Sequence, residues 1–277
     1  MSNNLKFVFF GTPDVASETL EILKENGYIP SLIITSPDKP QGRKMILTPP
    51  PVKIWAEKNN LPYLQPEKLN KDLNIDSELF IVVAYGKIIP KEILKIPPSG
   101  SINIHYSLLP KYRGASPVES AILNGDTETG VTIQKMEFKL DSGPILAQEK
   151  VKILSDEKTN DLRSRLIKIG GNLLVKKLPE IINNKIKPTL QKESEVTHCK
   201  KINKEDGLIN LNTTGTTNYN KFRAYVIWPR TFFFEKNKRI IITDAVLENG
   251  NFIIKKIIPE GKKEITWEEF KKTNISR

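Results

Sequence analysis

Polar and apolar residues alternate most clearly at residues 101–105, near the middle of the chain. This period of two predicts a strand with one buried face, from which Asn103 and His105 project on the same side. The alternation stops at residues 107–110, because proline removes a backbone donor and disfavours helix before it. A hydrogen-bonded core histidine beside a strand-end asparagine would give the same pattern. The pair therefore suggests a functional site only if a third partner joins it.

The first part of the chain has the pattern of an open α/β sheet. An apolar run at residues 6–10 is followed by Thr12 and Pro13, which suit the N-cap and the first position of a helix. Residues 79–84 are wholly apolar, as is typical of a central parallel strand. Strand, turn and helix in this order predict a Rossmann-like domain with a parallel or mixed sheet over residues 1–187.

A proline-rich stretch interrupts this pattern at residues 36–51, which contain five prolines. Regular elements do not tolerate that density of proline, so the stretch is predicted to be one long irregular loop. Its centre carries Arg43 and Lys44. A basic tip on a long loop suits a contact with phosphate or RNA, and a solvated loop is the equal alternative.

The pattern changes again in the last third of the chain. Residues 188–199 are polar and read as a linker, and short β-like runs separated by turn residues follow from about Lys200. These runs predict a small OB-like β-barrel domain over residues 200–277. They lie at residues 207–210, 231–234, 239–246 and 252–258.

The length of the chain indicates how many domains it has, and its net charge indicates the kind of partner it binds. A chain of 277 residues fits two domains, and its net charge of +11 favours a polyanionic partner. Residues 188–277 hold 17 basic and 11 acidic side chains, so the last third is the more basic part. Since 35 of the 43 basic residues are lysine, compositional drift would also explain the excess.

Cysteine and histidine are too few for a metal centre or an intrachain disulfide. Cys199 is the sole cysteine, and His105 and His198 are the only histidines. Metal-free chemistry is therefore expected. The sequence shows no signal peptide and no run of eighteen apolar residues, which predicts a cytoplasmic protein without a membrane partner.

Several short motifs together closely resemble the formyltetrahydrofolate-dependent formyltransferases, and in particular the branch that acts on methionyl-tRNA. The resemblance covers essentially the whole chain and is strongest in the first 150 residues. Tyr106 departs from the pattern, since the family carries a smaller residue there. The motifs lie at residues 9–14, 37–43, 84–86, 103–105, 107–110, 112–114, 141–143, 223–224 and 228–229.

The resemblance implies a site and a reaction. The formyl group of 10-formyltetrahydrofolate would pass to the α-amino group of methionine on initiator methionyl-tRNA, without a metal, in a monomer. Asn103 and His105 would donate to the oxygen of the tetrahedral intermediate, and Asp141, the third partner, would accept the proton of the attacking amine. Arg43 and Lys44 would contact the tRNA. Folate contacts are implied for Ser107, Leu108, Leu109, Pro110, Ala84, Tyr85 and Gly86.

Two other functions compete with this one. A formyltransferase of the same type could act on a small amine, such as a nucleotide precursor or an amino sugar, but would not need a basic C-terminal domain. An RNA-binding protein could retain an inactive transferase domain, but it would have no physical reason to keep Asn103, His105 and Asp141 together. Formylation of charged initiator tRNA is the assay that would settle most of this choice.

Overall fold

The computed structural model describes residues 5–42, 44–70 and 75–275 and divides the chain into two compact units. The first unit comprises the chain up to Arg113 together with Gly130–Val151 and Arg165–Thr197. The second comprises Gly114–Thr129, Lys152–Ser164 and His198–Arg277. Each unit is thus assembled from separate stretches of the chain.

Strands and helices alternate through most of the chain, and the last strands follow one another directly. The strands are β1 (Phe7–Gly11), β2 (Leu32–Ile34), β3 (Lys39–Gln41), β4 (Ile46–Thr48), β5 (Tyr63–Leu64), β6 (Leu79–Val83), β7 (Ser101–His105), β8 (Arg113–Gly114), β9 (Glu128–Lys135), β10 (Ile145–Lys152), β11 (His198–Cys199), β12 (Phe232–Glu235), β13 (Lys238–Glu248), β14 (Asn251–Pro259) and β15 (Ile265–Thr266). The helices are α1 (Asp14–Glu25), α2 (Pro51–Lys58), α3 (Lys91–Leu94), α4 (Pro117–Leu123), α5 (Thr159–Ile182), α6 (Gly215–Ala224) and α7 (Trp267–Ile275). Short 3-10 turns lie at Glu193–Glu195 and Lys204–Gly207.

A seven-stranded sheet in the order β10-β9-β7-β6-β1-β2-β5 forms the framework of the first unit. Strands β5, β2, β1, β6 and β7 pair in parallel, whereas β9 runs antiparallel to β7. Every residue of β1 and β6 is buried, as expected of central strands that are covered on both faces. This confirms the mixed α/β sheet that the apolar runs predict.

The second unit contains an antiparallel sheet in the order β12-β13-β14-β15. Its core packs Tyr219 and Phe222 of α6 with Ile242 of β13 and Ile257 of β14. Three of the four predicted C-terminal runs become strands of this sheet. The fourth, residues 207–210, forms no strand, because its first residue ends a 3-10 turn and only Leu208 makes an isolated bridge. That single strand prediction is wrong.

Two local predictions in the first unit are also wrong. The proline-rich stretch is not wholly irregular, since β3 and β4 pair antiparallel across Pro40 and Leu47. A two-stranded ribbon tolerates proline where its missing donor would point outward. Thr12 does not cap α1, whose N-cap is Pro13; its hydroxyl instead donates to the carbonyl oxygen of Tyr85 at 2.8 Å.

The stretch predicted as a linker makes ordered contacts in the first unit. Thr189 pairs with Ile145 through two backbone hydrogen bonds of 2.8 and 2.9 Å. Further along, Thr197 accepts from the backbone of Tyr112 through its hydroxyl at 2.9 Å. None of the helices in the described ranges is long and apolar enough to cross a membrane.

Phe80→Ala tests the core of the first unit. Phe80 is fully buried on β6, and its ring centroid lies 5.0 Å from that of Phe10. We expect the free energy of unfolding to fall by about 3–5 kcal/mol, because the truncation leaves a cavity that a central strand cannot close. Urea denaturation measures the change. Phe138→Ala is the control, since Phe138 is 68% exposed and should change stability little; equal losses in both variants would contradict this packing.

Candidate active site

Four polar side chains share one face of the sheet where β7 meets β9. Asn103 and His105 lie two residues apart on β7, and their partners on β9 are Gln134 and Thr132. Residues directly opposite in an antiparallel pair point to the same face. His105, Gln134 and Thr132 are buried and Asn103 is partly exposed. The predicted placement of Asn103 and His105 side by side is confirmed.

Both ring nitrogens of His105 have defined neighbours. Nε2 lies 2.9 Å from the carbonyl oxygen of Tyr112, which can only accept, so Nε2 carries a proton and donates it. The other nitrogen, Nδ1, lies 3.7 Å from Oδ2 of Asp141. The tautomer is therefore fixed by the backbone, and Nδ1 is the nitrogen that can exchange a proton with a reacting group.

Asp141 lies on the return loop, residues 136–144, which connects β9 to β10. Its backbone has φ 49°, in the left-handed region that non-glycine residues rarely adopt. Gln134 donates to Oδ1 of Asp141 at 3.0 Å, and Gln191 donates to the carbonyl oxygens of Asp141 and Gly143 at 2.9 and 2.8 Å. The structure thus brings Asp141 to His105, as the sequence predicts.

Arg113 anchors the surroundings of this loop. Its guanidinium is buried, with Nε donating to Oε1 of Gln191 and Nη2 donating to Glu193, both at 2.9 Å. The hydrogen bond from Arg113 lowers the pKa of the Glu193 carboxyl. Arg113 also follows Tyr112 directly in the chain. Tyr112 bonds His105, and Arg113 bonds Gln191, which in turn bonds Asp141.

The turn at residues 107–110 is held by hydrogen bonds to side chains of β9 and β10. Thr132 donates to the carbonyl oxygen of Ser107 at 2.7 Å and accepts from the backbone of Leu109 at 3.1 Å. Gln148 donates to the carbonyl oxygen of Leu109 at 2.8 Å. Ser107 and Leu109 are buried, whereas Leu108 and Pro110 are partly exposed. A ligand at this turn would meet a rigid edge, with Leu108 and Pro110 as its accessible side chains.

The second candidate folate segment, Ala84 to Gly86, lies just past the end of β6. Ala84 and Gly86 are exposed and both have positive φ angles, 46° and 77°. The Tyr85 side chain instead packs against Phe10 in the core, and burial raises the pKa of its phenol to about 12. Tyr85 is therefore unsuited to proton transfer, and a ligand here would meet backbone.

Lys44, one of the two candidate tRNA contacts, lies between β3 and β4. Lys44 is exposed just before β4, beside the exposed apolar residues Met45, Ile46 and Leu47. Arg43 lies outside the described residues.

Two family models match the chain. The sequence model described as formyl transferase matches residues 5–178, and that of the formyl transferase C-terminal domain matches residues 201–252. The chain belongs to the formyl transferase family. It is a formyltransferase enzyme, and formyltetrahydrofolate is the co-substrate of this family.

Curated relatives of this formyl transferase are similar over most of its length. The methionyl-tRNA formyltransferase of Caldicellulosiruptor saccharolyticus is 43% identical over 256 residues, covering 88% of this chain and 82% of the relative. That of Staphylococcus aureus is 38% identical over 255 residues, covering 90% and 81%.

Solved structures show the same fold. The sugar 3N-formyl transferase WlaRD, crystallised in the presence of dTDP and 5-N-formyl-THF, is 26% identical with a TM-score of 0.68, covering 88% of this formyl transferase and 87% of WlaRD. The methionyl-tRNA formyltransferase from Clostridium thermocellum is 18% identical with a TM-score of 0.60, covering 95% and 99%.

Sequence reasoning missed three residues that hold the site together. Arg113 lies in a motif that the resemblance quotes, but only the structure shows its bonds. Gln134 lies opposite Asn103 on β9, so the alternation along β9 could have placed it on the same sheet face as Thr132. Gln191 lies in the supposed linker, where no periodic pattern marks it. Across the described ranges, no cluster of three or more His, Cys, Asp or Glu side chains could hold a metal.

Gly143→Ala tests whether the return loop sets the position of Asp141. A Cβ on Gly143 would overlap the carbonyl oxygen of Lys135, which belongs to backbone and cannot move cheaply. The loop must shift, so we expect kcat to fall by about tenfold or more. Steady-state kinetics measure this, with Glu137→Ala, an exposed change on the same loop, as the control. Wild-type kcat in Gly143→Ala would contradict the assigned role of the loop.

Proposed function

We propose that this formyltransferase transfers the formyl group of 10-formyltetrahydrofolate to the α-amino group of methionine on initiator methionyl-tRNA. The observation that carries the proposal is the pairing of His105 Nδ1 with Asp141 beside Asn103 on one sheet face. Methionyl-tRNA formyltransferases that are 38–43% identical over most of the chain support this acceptor. The enzyme would act as a monomer in the cytoplasm, in translation initiation.

The chemistry needs donors aimed at one oxygen and an acceptor aimed at one proton. Attack of the amine on the formyl carbon gives a tetrahedral intermediate, whose oxygen develops negative charge. Asn103 donates to that oxygen through its amide, and His105 through Nδ1 when this nitrogen holds a proton. Because Nε2 is committed to Tyr112, the ring cannot turn away.

Asp141 accepts the proton that the attacking amine loses, directly or through a water, and the proton then reaches N10 of the folate as the C–N bond breaks. An α-amino group has a reference pKa of roughly 7.7–8.0, so a carboxylate is a sufficient base at neutral pH. Since Gln134 bonds Oδ1, Oδ2, which faces His105, is the oxygen proposed to accept this proton.

Folate binding is proposed for the two segments that border this face. The turn at Ser107, Leu108, Leu109 and Pro110 offers a rigid edge and two accessible apolar side chains. The segment of Ala84, Tyr85 and Gly86 offers backbone, since the Tyr85 ring is buried. A pterin ring requires both features: a narrow apolar slot and hydrogen bonds along one edge.

Binding of the tRNA is proposed for the basic parts of both predicted domains. Residues 200–277 would hold the phosphate backbone without reading much sequence. Lys236 and Lys238 are exposed at the turn between β12 and β13, and Phe234 beside them is 58% exposed and offers a ring for base stacking. Arg43 and Lys44 would contact the acceptor end.

One assay separates this function from its rival. The protein is incubated with 10-formyltetrahydrofolate and either methionyl initiator tRNA or a nucleotide-linked amino sugar, the acceptor class suggested by WlaRD. We expect N-formylmethionyl-tRNA and no formylated sugar. Formylation of the sugar alone would overturn the proposed acceptor.

Replacement of the three site residues tests the mechanism. We expect Asn103→Ala, His105→Ala and Asp141→Ala each to lower kcat at least about a hundredfold, the scale seen when one oxyanion donor is lost. Thermal melting should show that each variant is folded. Lys139→Ala, an exposed change on the return loop, is the control. A folded His105→Ala enzyme with near-normal kcat would refute the mechanism.

Replacement of Arg43 and Lys44 tests the proposed tRNA contact. Arg43→Ala and Lys44→Ala should each raise the KM for tRNA and reduce the salt dependence of kcat/KM by about one unit of slope, while the KM for folate stays constant. Lys24→Ala, an exposed lysine in the last turn of α1, is the matched control. Steady-state kinetics at two salt concentrations measure these changes. Unchanged tRNA kinetics in both variants would show that neither residue contacts the tRNA.

A further inference from the structure

The side chain of Gln191 joins three separate parts of the first unit. Its amide nitrogen donates to the carbonyl oxygens of Asp141 and Gly143, and its amide oxygen accepts from Nε of Arg113. Carbonyls only accept and guanidinium only donates, so the amide has a single satisfactory orientation. Gln191 is thus a fixed clamp on the two residues that flank Ser142.

The topology of the sheet explains why the loop requires a clamp. Strand β9 runs antiparallel to β7, and its last residue, Lys135, is opposite Ile102 near the start of β7. The return loop therefore starts beside the first residues of β7, whereas His105 is the last residue of β7. The loop has to turn back along the sheet face to bring Asp141 within 3.7 Å of the imidazole. Exposed residues occupy its outer part, 137–140.

The backbone of Asp141 adds a second reason. A non-glycine residue with φ 49° lies in a sparsely populated region and persists there only where surrounding contacts enforce it. At the base of the loop, Lys135 donates to the carbonyl oxygen of Pro144 at 2.9 Å. Further along the loop, Gln191 bonds the carbonyl oxygens of Asp141 itself and of Gly143, two residues later.

Arg113 connects this clamp to His105. Its buried guanidinium orients Gln191, while the preceding carbonyl, that of Tyr112, fixes the histidine tautomer. A shift of Arg113 would therefore disturb both members of the His105–Asp141 pair. Gln191 bonds the return loop directly, at the carbonyl oxygens of Asp141 and Gly143, so its effect on Asp141 can be measured without replacing the residue adjacent to Tyr112.

We propose that Gln191 is a positioning residue for the formyl transfer, acting through Asp141 by holding the return loop in its left-handed turn. This inference rests on the proposed catalytic role of Asp141. Gln191 touches no reacting atom, so its loss should lower kcat without changing the KM for either substrate. We expect a fall of about 10- to 100-fold, the effect of a misplacement of roughly 1 Å.

A double-mutant cycle tests the proposal on the full-length enzyme. The variants are Gln191→Ala, Asp141→Ala and the double variant, and single-turnover rates are measured with 10-formyltetrahydrofolate and methionyl initiator tRNA. If Gln191 acts through Asp141, its replacement has little further effect once Asp141 is absent. Gln191→Glu repeats the cycle at nearly constant size, because a carboxylate cannot donate to the two carbonyls. It also replaces Gln191→Ala if that variant does not fold.

The outcomes are distinct. Lys192→Ala is the matched control, since Lys192 is the neighbour of Gln191 in the sequence and its exposed side chain bonds Glu195 rather than the return loop; it should keep wild-type kcat. Multiplicative losses in the double variant, a raised KM or an unaffected kcat in the Gln191 variants would overturn the positioning role. An Asp141→Ala enzyme as active as wild type would instead refute the proposed catalytic role.

Discussion

Buried polar groups must find hydrogen-bond partners inside the protein, and this constraint shapes the whole surroundings of β7. The sheet face at the end of β7 carries a histidine, a glutamine and a threonine that are almost wholly shielded from water. Each has a partner: the carbonyl of Tyr112, the carboxylate of Asp141 and the turn at residues 107–109. Satisfying these side chains fixes the turn after β7 and the loop after β9, which are the segments that a substrate would meet.

The same constraint extends to stretches that carry little apolar pattern. Arg113 is one of the largest fully buried side chains, and an uncompensated guanidinium in that position would be costly. Its partners Gln191 and Glu193 come from a polar stretch that shows no apolar periodicity. These bonds to Arg113, together with those of Thr189 and Thr197, hold the stretch predicted as a linker in the first unit.

The sequence predicts the parts of this arrangement that depend on local patterns. The alternation at β7 places Asn103 and His105, the apolar runs place β1 and β6, and the glycine and proline after Asp141 place it on a loop. The sequence does not predict the β3–β4 hairpin, because a ribbon that buries little apolar surface leaves little periodic signal. Nor does it predict the role of Gln191, since bonds from a polar side chain to distant carbonyls depend on tertiary structure and have no signature in neighbouring residues.

The antiparallel direction of β9 has a consequence for how such a site can change over evolution. One wall of the site, β7, is a central strand bonded on both sides, and moving it would disturb the entire sheet. The opposite wall is a surface loop that reaches the site by its own path, so its length and anchoring can vary while the strand stays in place. A scaffold with one fixed wall and one adjustable wall can keep a single reaction while accommodating acceptors of very different size.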